Sequence, residues 1–197
     1  MKIYDISQEV FGCNVFPGDP QPEKIVQMRI TDGDICNLSS LHMCAHNGTH
    51  VDAPFHFYAD GKTIDEVSLE KFIGKAFVAE HEGDITASDM RRILDRAFEN
   101  DPASAERILI KGKATLTEDA AVVLADREIK LYGNESQTVG PEDSPKECHL
   151  IMLGKQIVLL EGIVLKDVPE GVYLLNAAPL NLGGADGAPC RAVLLEM

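Results

Sequence analysis

The sequence predicts an α/β fold in which a sheet is covered by two or three helices, and three observations carry that expectation. Helix and strand signals alternate through the middle of the chain, from Thr86 to Tyr132. Apolar segments of strand character lie towards both ends. The composition is globular, with 197 residues of which 45% are hydrophobic and 25% charged, long enough to bury a sizeable core.

Ile3 to Ser7 reads as a short strand, followed by the Pro/Gly loop Phe16-Pro17-Gly18-Asp19-Pro20 and a second strand near Ile25 to Ile30. A further strand is expected to end near Cys44. Thr86-Ala87-Ser88-Asp89 is an N-cap signal, and Met90, Ile93, Leu94, Ala97 and Phe98 follow it at helical spacing, a stripe for the core or a subunit interface. Arg107 to Lys111 reads as a buried strand, Glu118 to Ala125 as a helix behind a Thr117 cap, and Ile129 to Tyr132 as another strand. Asn134 to Asp143 is polar and bounded by Gly and Pro, which predicts a surface loop. Ser144-Pro145-Lys146-Glu147 has the form of a capping box with Pro at the first helical position, and Gly154 is the matching stop. The helix between them carries His149. Ile157 to Glu161, Gly171 to Asn176 and Ala192 to Glu196 complete the strands. No repeat or low-complexity linker divides the chain, so residues 1–197 are expected to form one domain.

Charge and cysteine usage narrow the function classes. Eighteen Lys plus Arg against 32 Asp plus Glu give a net charge of −14 with no basic run, so a nucleic-acid partner is not expected. No apolar run approaches the ~20 residues that span a bilayer, so no membrane association is expected either. Lys2 and Asp5 interrupt the first residues, and no export signal is read there. The five cysteines are scattered without a Cys-x-x-Cys pair, which argues against a disulfide framework or a thiolate zinc site and predicts a cytoplasmic protein. Neither a Gly-x-Gly-x-x-Gly after a strand nor a Walker sequence is present, so no nucleotide cofactor is expected. The glycine-rich Gly183 to Gly187 follows Pro179-Leu180 and precedes a strand, and therefore reads as a tight turn.

The chemistry is concentrated in His46-Asn47-Gly48-Thr49-His50-Val51-Asp52-Ala53-Pro54-Phe55-His56. Four of the six histidines fall between positions 42 and 56. His46 and His50 are spaced as on a zinc-binding helix, but Gly48 and Pro54 disfavour a helix there. An extended backbone from His50 onward puts His50, Asp52, Pro54 and His56 on one face and Val51, Ala53, Phe55 and Phe57 on the other. Pro54 lacks a backbone donor, which places the segment at a sheet edge or leading out of the sheet. His46, His50 and Asp52 offer two imidazoles and a carboxylate, a ligand set for a borderline divalent ion that leaves room for water. Taken alone, Glu161 reads equally as a solvated strand end, and His149 as a surface residue of a capped helix. Cys44 and Cys148 read as small buried residues.

The His46 to His56 string resembles the signature His-x-Gly-Thr-His-x-Asp-x-Pro-x-His of the cyclase-like metal-dependent hydrolases, a family that includes bacterial kynurenine formamidase and isatin hydrolase. The resemblance extends to Phe16-Pro17-Gly18-Asp19, Glu147-Cys148-His149, Leu160-Glu161-Gly162 and the run from Gly184 to Ala192, and so covers nearly the whole chain. It implies a compact α/β domain with a β-barrel-like core and flanking helices, assembled as a homodimer or tetramer. It also implies one or two divalent ions, zinc first and manganese as the alternative. The first would sit on His46, His50 and Asp52, with Asp52 bridging to a second on His149 and Glu161, and His56 would be the acid/base. The activity implied is cleavage of an amide, lactam or lactone by a metal-activated water, with an arylformamidase converting N-formylkynurenine to kynurenine and formate as the leading case. A catalytically silent metal- or small-molecule-binding protein on the same scaffold, or a cyclase or dehydratase, are the alternatives. The small-molecule substrate would be aromatic or cyclic. Phe16 and Phe57, with Phe55 and Tyr58, are candidates for its pocket wall and equally for core packing, and the absence of Trp counts against N-formylkynurenine.

Overall fold

Apolar segments from both ends and from the middle of the chain join one mixed sheet in the computed structural model, which describes residues 1–196. In chain order the strands are β1 (Ile3–Asp5), β2 (Glu23–Met28), β3 (Leu38–His42), β4 (His50–Asp52), β5 (Ile73–Glu80), β6 (Gly83–Ile85), β7 (Arg107–Lys111), β8 (Ala114–Leu116), β9 (Leu131–Asn134), β10 (Val158–Glu161), β11 (Gly171–Asn176), β12 (Gly187–Pro189) and β13 (Val193–Leu195). The helices are α1 (Ala87–Asn100), α2 (Glu118–Asp126) and α3 (Lys146–Gly154).

Nine strands form the main sheet in the order β1-β13-β11-β5-β7-β9-β10-β4-β12. Its centre, β5-β7-β9-β10, is parallel, because α1, α2 and α3 supply the crossovers that parallel strands require. Both flanks are antiparallel. The chain beyond β1 bridges Ser7 to Ile163, just past β10, and the Val164 N–H donates to Ile6 O at 2.9 Å, so one edge of the sheet curls back towards its other half. The outcome is a half-barrel of mixed strands with helices on its outer face, the α/β class that the alternation predicted.

Alternation along the strands separates two cores. Ala76, Val78, Leu109, Leu131, Leu160 and Val51 fill the concave side with Ile6 and Phe72. Phe77, Ala79, Ile108, Ile110, Tyr132 and Leu159 meet the helices on the other side. The α1 stripe of Met90, Ile93, Leu94 and Ala97 is buried there as core, whereas Phe98 is exposed. Since Val51 points into the concave core, His50 and Asp52 point to the helical side, and Glu161, opposite His50 in register, points there too.

Several expectations are corrected. The period-two face from His50 ends at Asp52, because Pro54–His56 turns into a 3-10 helix anchored by Phe55 N–H to Lys62 O (3.0 Å); Pro54 leads the chain out of the sheet. Ser144 forms no capping box: Pro145 itself stands at the N-cap with φ −74° and ψ −17°, and no side chain caps the helix. The polar stretch after Asn134 is not a simple surface loop, since Thr138, Val139 and Gly140 are buried. Cys148 is buried as expected, but Cys44 is only partly so.

β2 and β3 form a separate two-stranded ribbon in which nearly every residue is exposed. β6 and β8 form a short parallel pair beside α1 and α2.

Candidate metal centre

The site lies where α3 covers the β4–β10 pair. β4 presents His50 and Asp52, β10 presents Glu161 from the next strand, and α3 presents His149 from above. All four are at most 3% exposed. His50 Nε2 lies 3.3 Å from Glu161 Oε2 and 3.6 Å from Asp52 Oδ1, and His149 Nε2 lies 3.3 Å from Glu161 Oε1 and 3.5 Å from Asp52 Oδ2. Both rings are aimed by their other nitrogen, His50 Nδ1–H donating to Gly48 O and His149 Nδ1–H to Pro145 O, each at 2.9 Å. Such outer hydrogen bonds fix the tautomer and leave Nε2 free to face a cation. Gly48 makes the first of them possible, because its φ of +69° turns the backbone between His46 and His50 in a way that L side chains resist.

His46 joins from the loop before β4. Its Nδ1 is 2.9 Å from Asp52 Oδ1 and its Nε2 2.8 Å from Asp186 Oδ2. Room for the ring comes from Gly187 on β12, directly opposite Asp52, where a Cβ would stand 2.8 Å from His46 Cε1. His56 reaches the same place from its 3-10 turn. Its ring lies 4.2 Å from that of His46, and its Nδ1 is 3.2 Å from Asp186 Oδ2. Exposure grades outward, from 1% at Asp52 through 13% at His46 and 29% at His56 to 43% at Asp186, so the cluster opens to solvent on the His56 and Asp186 side.

The electrostatics of the cluster call for a positive charge. Burial alone would push the His46 imidazole down, but its hydrogen bonds to Asp186 and Asp52 outweigh burial and raise it to about 11. His149 is raised to about 10 against burial by Asp52 and Glu161, and His50 is raised by Glu161 and Asp52. Asp52 is held well below the carboxylate range, its burial being outweighed by His149 and His46. Even so, His50 Nε2 and Asp52 Oδ2 are buried without a hydrogen-bond partner. Buried polar atoms left without a hydrogen bond in a nest of imidazoles and carboxylates fit a bound cation. The ligand atoms of His46, His50 and Asp52 lie within 4.8 Å of one another, as do those of Asp52, His149 and Glu161, and, at the open edge, those of His46, His56 and Asp186. The two more buried groups share Asp52, so their residues could hold one ion or two.

All six polar residues singled out in the sequence thus converge: His46, His50, Asp52, His56, His149 and Glu161. Phe57 belongs with them, stacked on His149 at 4.6 Å and edge-on to His56 at 4.7 Å. Phe16 does not; it lines a cavity of about 1010 Å³ whose walls include Lys113, Glu135, Thr138 and Gly140 but none of the clustered histidines. Tyr58 turns away to donate its hydroxyl to Leu150 O, and Phe55 is 37% exposed. Sequence reasoning missed Asp186, which holds both His46 and His56 and is itself held well below the carboxylate range by them. Its available signal was its place in the Gly184 to Ala192 run of the resemblance, within the Gly183 to Gly187 stretch that reads as a tight turn. The Val139 N–H, which donates to Glu161 Oε1 at 2.8 Å, was also hidden in a supposed surface loop.

A protein-family model described as "Putative cyclase" matches residues 4–141. The kynurenine formamidase of Salinibacter ruber (strain DSM 13855 / M31) is 38% identical to this chain over 100% of it and 98% of its own length. Among solved structures, a potential metal-dependent hydrolase with cyclase activity is similar at a TM-score of 0.80 and 29% identity, covering 98% of this chain and 96% of that one. Isatin hydrolase A from Labrenzia aggregata, bound to benzyl benzoate, shares the fold at a TM-score of 0.82 and 19% identity, covering 98% of this chain and 93% of that one. With a family match from residue 4 to 141 and a relative at 38% identity from end to end, this chain belongs to the cyclase family.

Proposed function

We propose that this chain is a metal-dependent hydrolase of amide bonds acting as an arylformamidase, with N-formylkynurenine as the first substrate to test. One observation carries the reading. His50 Nε2 and Asp52 Oδ2 are buried without a hydrogen-bond partner between His46, His149 and Glu161, while His56 stands at the open edge of the same cluster. The end-to-end similarity to a kynurenine formamidase supports the reaction class.

His46, His50 and Asp52 would hold one ion, and Asp52, His149 and Glu161 a second. Zinc is the first choice for imidazole and carboxylate donors, and manganese accepts the same set. When bound, a divalent cation lowers the pKa of a water to about 7 and polarises a carbonyl oxygen. The chain's own residues do the rest. His56, outside the two groups that share Asp52, takes a proton from the attacking water and returns it to the leaving nitrogen as the C–N bond breaks, giving formate and a free arylamine. Phe57 supplies an aromatic wall beside His56 and His149. No serine or cysteine nucleophile is needed.

One sheet threading the chain supports a single hydrolase domain over residues 1–197. Among the described residues no helix is long and apolar enough to cross a membrane, and all five cysteines are free, which supports a cytoplasmic location. The β2–β3 ribbon exposes Ile25, Val26, Leu38 and Leu41. A two-stranded ribbon is marginally stable alone, which supports its packing on a second copy in a homodimer or tetramer.

The test is metal analysis of protein purified without chelator, with the same sample assayed for formate release from N-formylkynurenine. One or two ions per chain together with formate release is the expected result. Metal without formate would move the search to lactams and lactones, and no metal even after zinc or manganese is supplied would overturn the mechanism.

A further inference from the structure

Asp186 uses one carboxylate oxygen for two imidazoles. Its Oδ2 is 2.8 Å from His46 Nε2 and 3.2 Å from His56 Nδ1, and the two rings lie 4.2 Å apart with their planes 31° from parallel. His46 turns its other nitrogen, Nδ1, towards Asp52, where a cation is expected. His56 is left with Nε2 for the substrate side. The Asp186 backbone is held in place: its carbonyl accepts from Ala53 N–H at 2.9 Å, and the next residue, Gly187, pairs with Asp52 across the β4–β12 ladder. The backbone that carries the carboxylate is therefore fixed by the same strand pairing that positions the proposed ligands.

Resting on the metal-hydrolase reading above, we infer that Asp186 is a positioning residue shared by the metal centre and the proton-transfer histidine. Through His46 it acts as the outer carboxylate of a carboxylate–histidine–metal arrangement, holding the ring so that Nδ1 faces the ion. Through His56 it fixes the tautomer with hydrogen on Nδ1, so that Nε2 is the atom that accepts the proton from water and returns it to the leaving nitrogen. Loss of the one oxygen disturbs both functions together.

Asp186→Asn and Asp186→Ala test this, with His56→Ala alongside. Asp186 is 43% exposed, and its structural hydrogen bond is made by its backbone, so the variants are expected to fold as the parent does, which far-ultraviolet dichroism and the melting temperature of the metal-free protein check. Zinc affinity is read by competition with a chromogenic chelator, and kcat and KM are read at saturating zinc. The expected result is zinc affinity about 10–100-fold weaker in both Asp186 variants, the size typical of losing an outer-sphere partner. At saturating zinc kcat is expected to fall at least about tenfold with KM little changed, with Asn less affected than Ala because its amide oxygen still accepts a hydrogen bond. His56→Ala is expected to lose turnover while keeping its zinc affinity. Zinc affinity within twofold of the parent, or an unaltered kcat in the loaded Asp186 variants, would overturn the shared role. A parent protein that neither binds zinc nor releases formate would instead overturn the metal-hydrolase reading on which it rests.

Discussion

His50 and Glu161 face each other across the β4–β10 ladder, in direct register and with His50 Nε2 3.3 Å from Glu161 Oε2. Directly opposed residues of an antiparallel pair share a face, so this pairing is set by strand register and needs no loop to arrange it. The other oxygen of Glu161 faces His149 at the same 3.3 Å and also accepts from Val139 N–H. Glu161→Gln keeps the shape and removes the charge. The amide is expected to weaken metal binding by more than the ~10–100-fold cost of losing an outer-sphere partner, because a proposed ligand is altered. Metal content after dialysis, measured beside the parent, checks it; unchanged occupancy would remove Glu161 from the ligand set.

Gly187 is the complementary constraint. A Cβ there would stand 2.8 Å from His46 Cε1 and 2.8 Å from Val51 O, closer than side chains and backbone tolerate. Gly187→Ala must push His46 aside, strain the β4–β12 pairing, or both. The expected cost is about 1–3 kcal/mol in the metal-free protein, as for overpacking, together with weaker metal binding. Urea denaturation without metal and chelator competition with it separate the two effects; no change in either would show that the ring and strand shift freely.

How far these relationships could be read from sequence depends on whether they are local. His50 and Asp52 sit two apart on a strand, so the period-two reading placed them together correctly. The same reading failed at His56, because the 3-10 turn after Pro54 depends on Phe55 bonding to the distant Lys62. His149 and Glu161 each looked ordinary alone, and resemblance to a family motif joined them to the cluster before strand register did. Asp186 lies 140 residues from His46, and it arrives only through the pairing of β12 with β4. β5 was not anticipated either, since Gly74, Lys75, Ala76 and Ala79 dilute its apolar pattern. What identifies it as a strand is burial of its second half between two cores.

The raised histidines set a pH dependence with a definite sign. Protonated His46 and His149 contribute stability that is complete below their ordinary value of about 6.5 and is lost as pH rises through about 10 to 11. Asp52, depressed, contributes above its ordinary value of about 3.9 and loses that contribution as pH falls. These groups therefore favour the metal-free protein most between about pH 4 and 6.5. A metal needs the imidazoles deprotonated, so binding releases protons and strengthens with pH. The melting temperature of chelator-treated protein should fall from pH 6.5 to 10, while the gain on adding zinc grows over the same range. A gain that does not vary with pH would mean that these imidazoles do not exchange protons for metal.

At His56 catalysis and metal retention are expected to come apart. Its ring belongs to neither of the two ligand groups that share Asp52, and it is the more exposed neighbour of His46. His56→Ala should lower kcat by about 10²- to 10⁴-fold, the usual contribution of a general acid–base, while zinc per chain stays at the parent level. Coincident loss of zinc would make His56 a ligand.

The β2–β3 ribbon makes an equally definite prediction about assembly. Ile35 is 91% exposed at its tip and Leu41 60% exposed on β3, with Ile25 and Val26 on the opposing strand. Because Ile35 and Leu41 are so exposed, Asp substitutions at these positions should leave the fold of an isolated chain intact. If the ribbon packs on a second copy, each side chain contributes about 1.5–3 kcal/mol when buried there. Removing both should then weaken association by at least about 100-fold. Sedimentation at micromolar concentration should find the parent as a dimer or tetramer and Ile35→Asp/Leu41→Asp as a 21.5 kDa monomer. A parent that already sediments as a monomer would show that the ribbon stands without a partner, and an unchanged oligomer in the double variant would place the interface elsewhere on the chain.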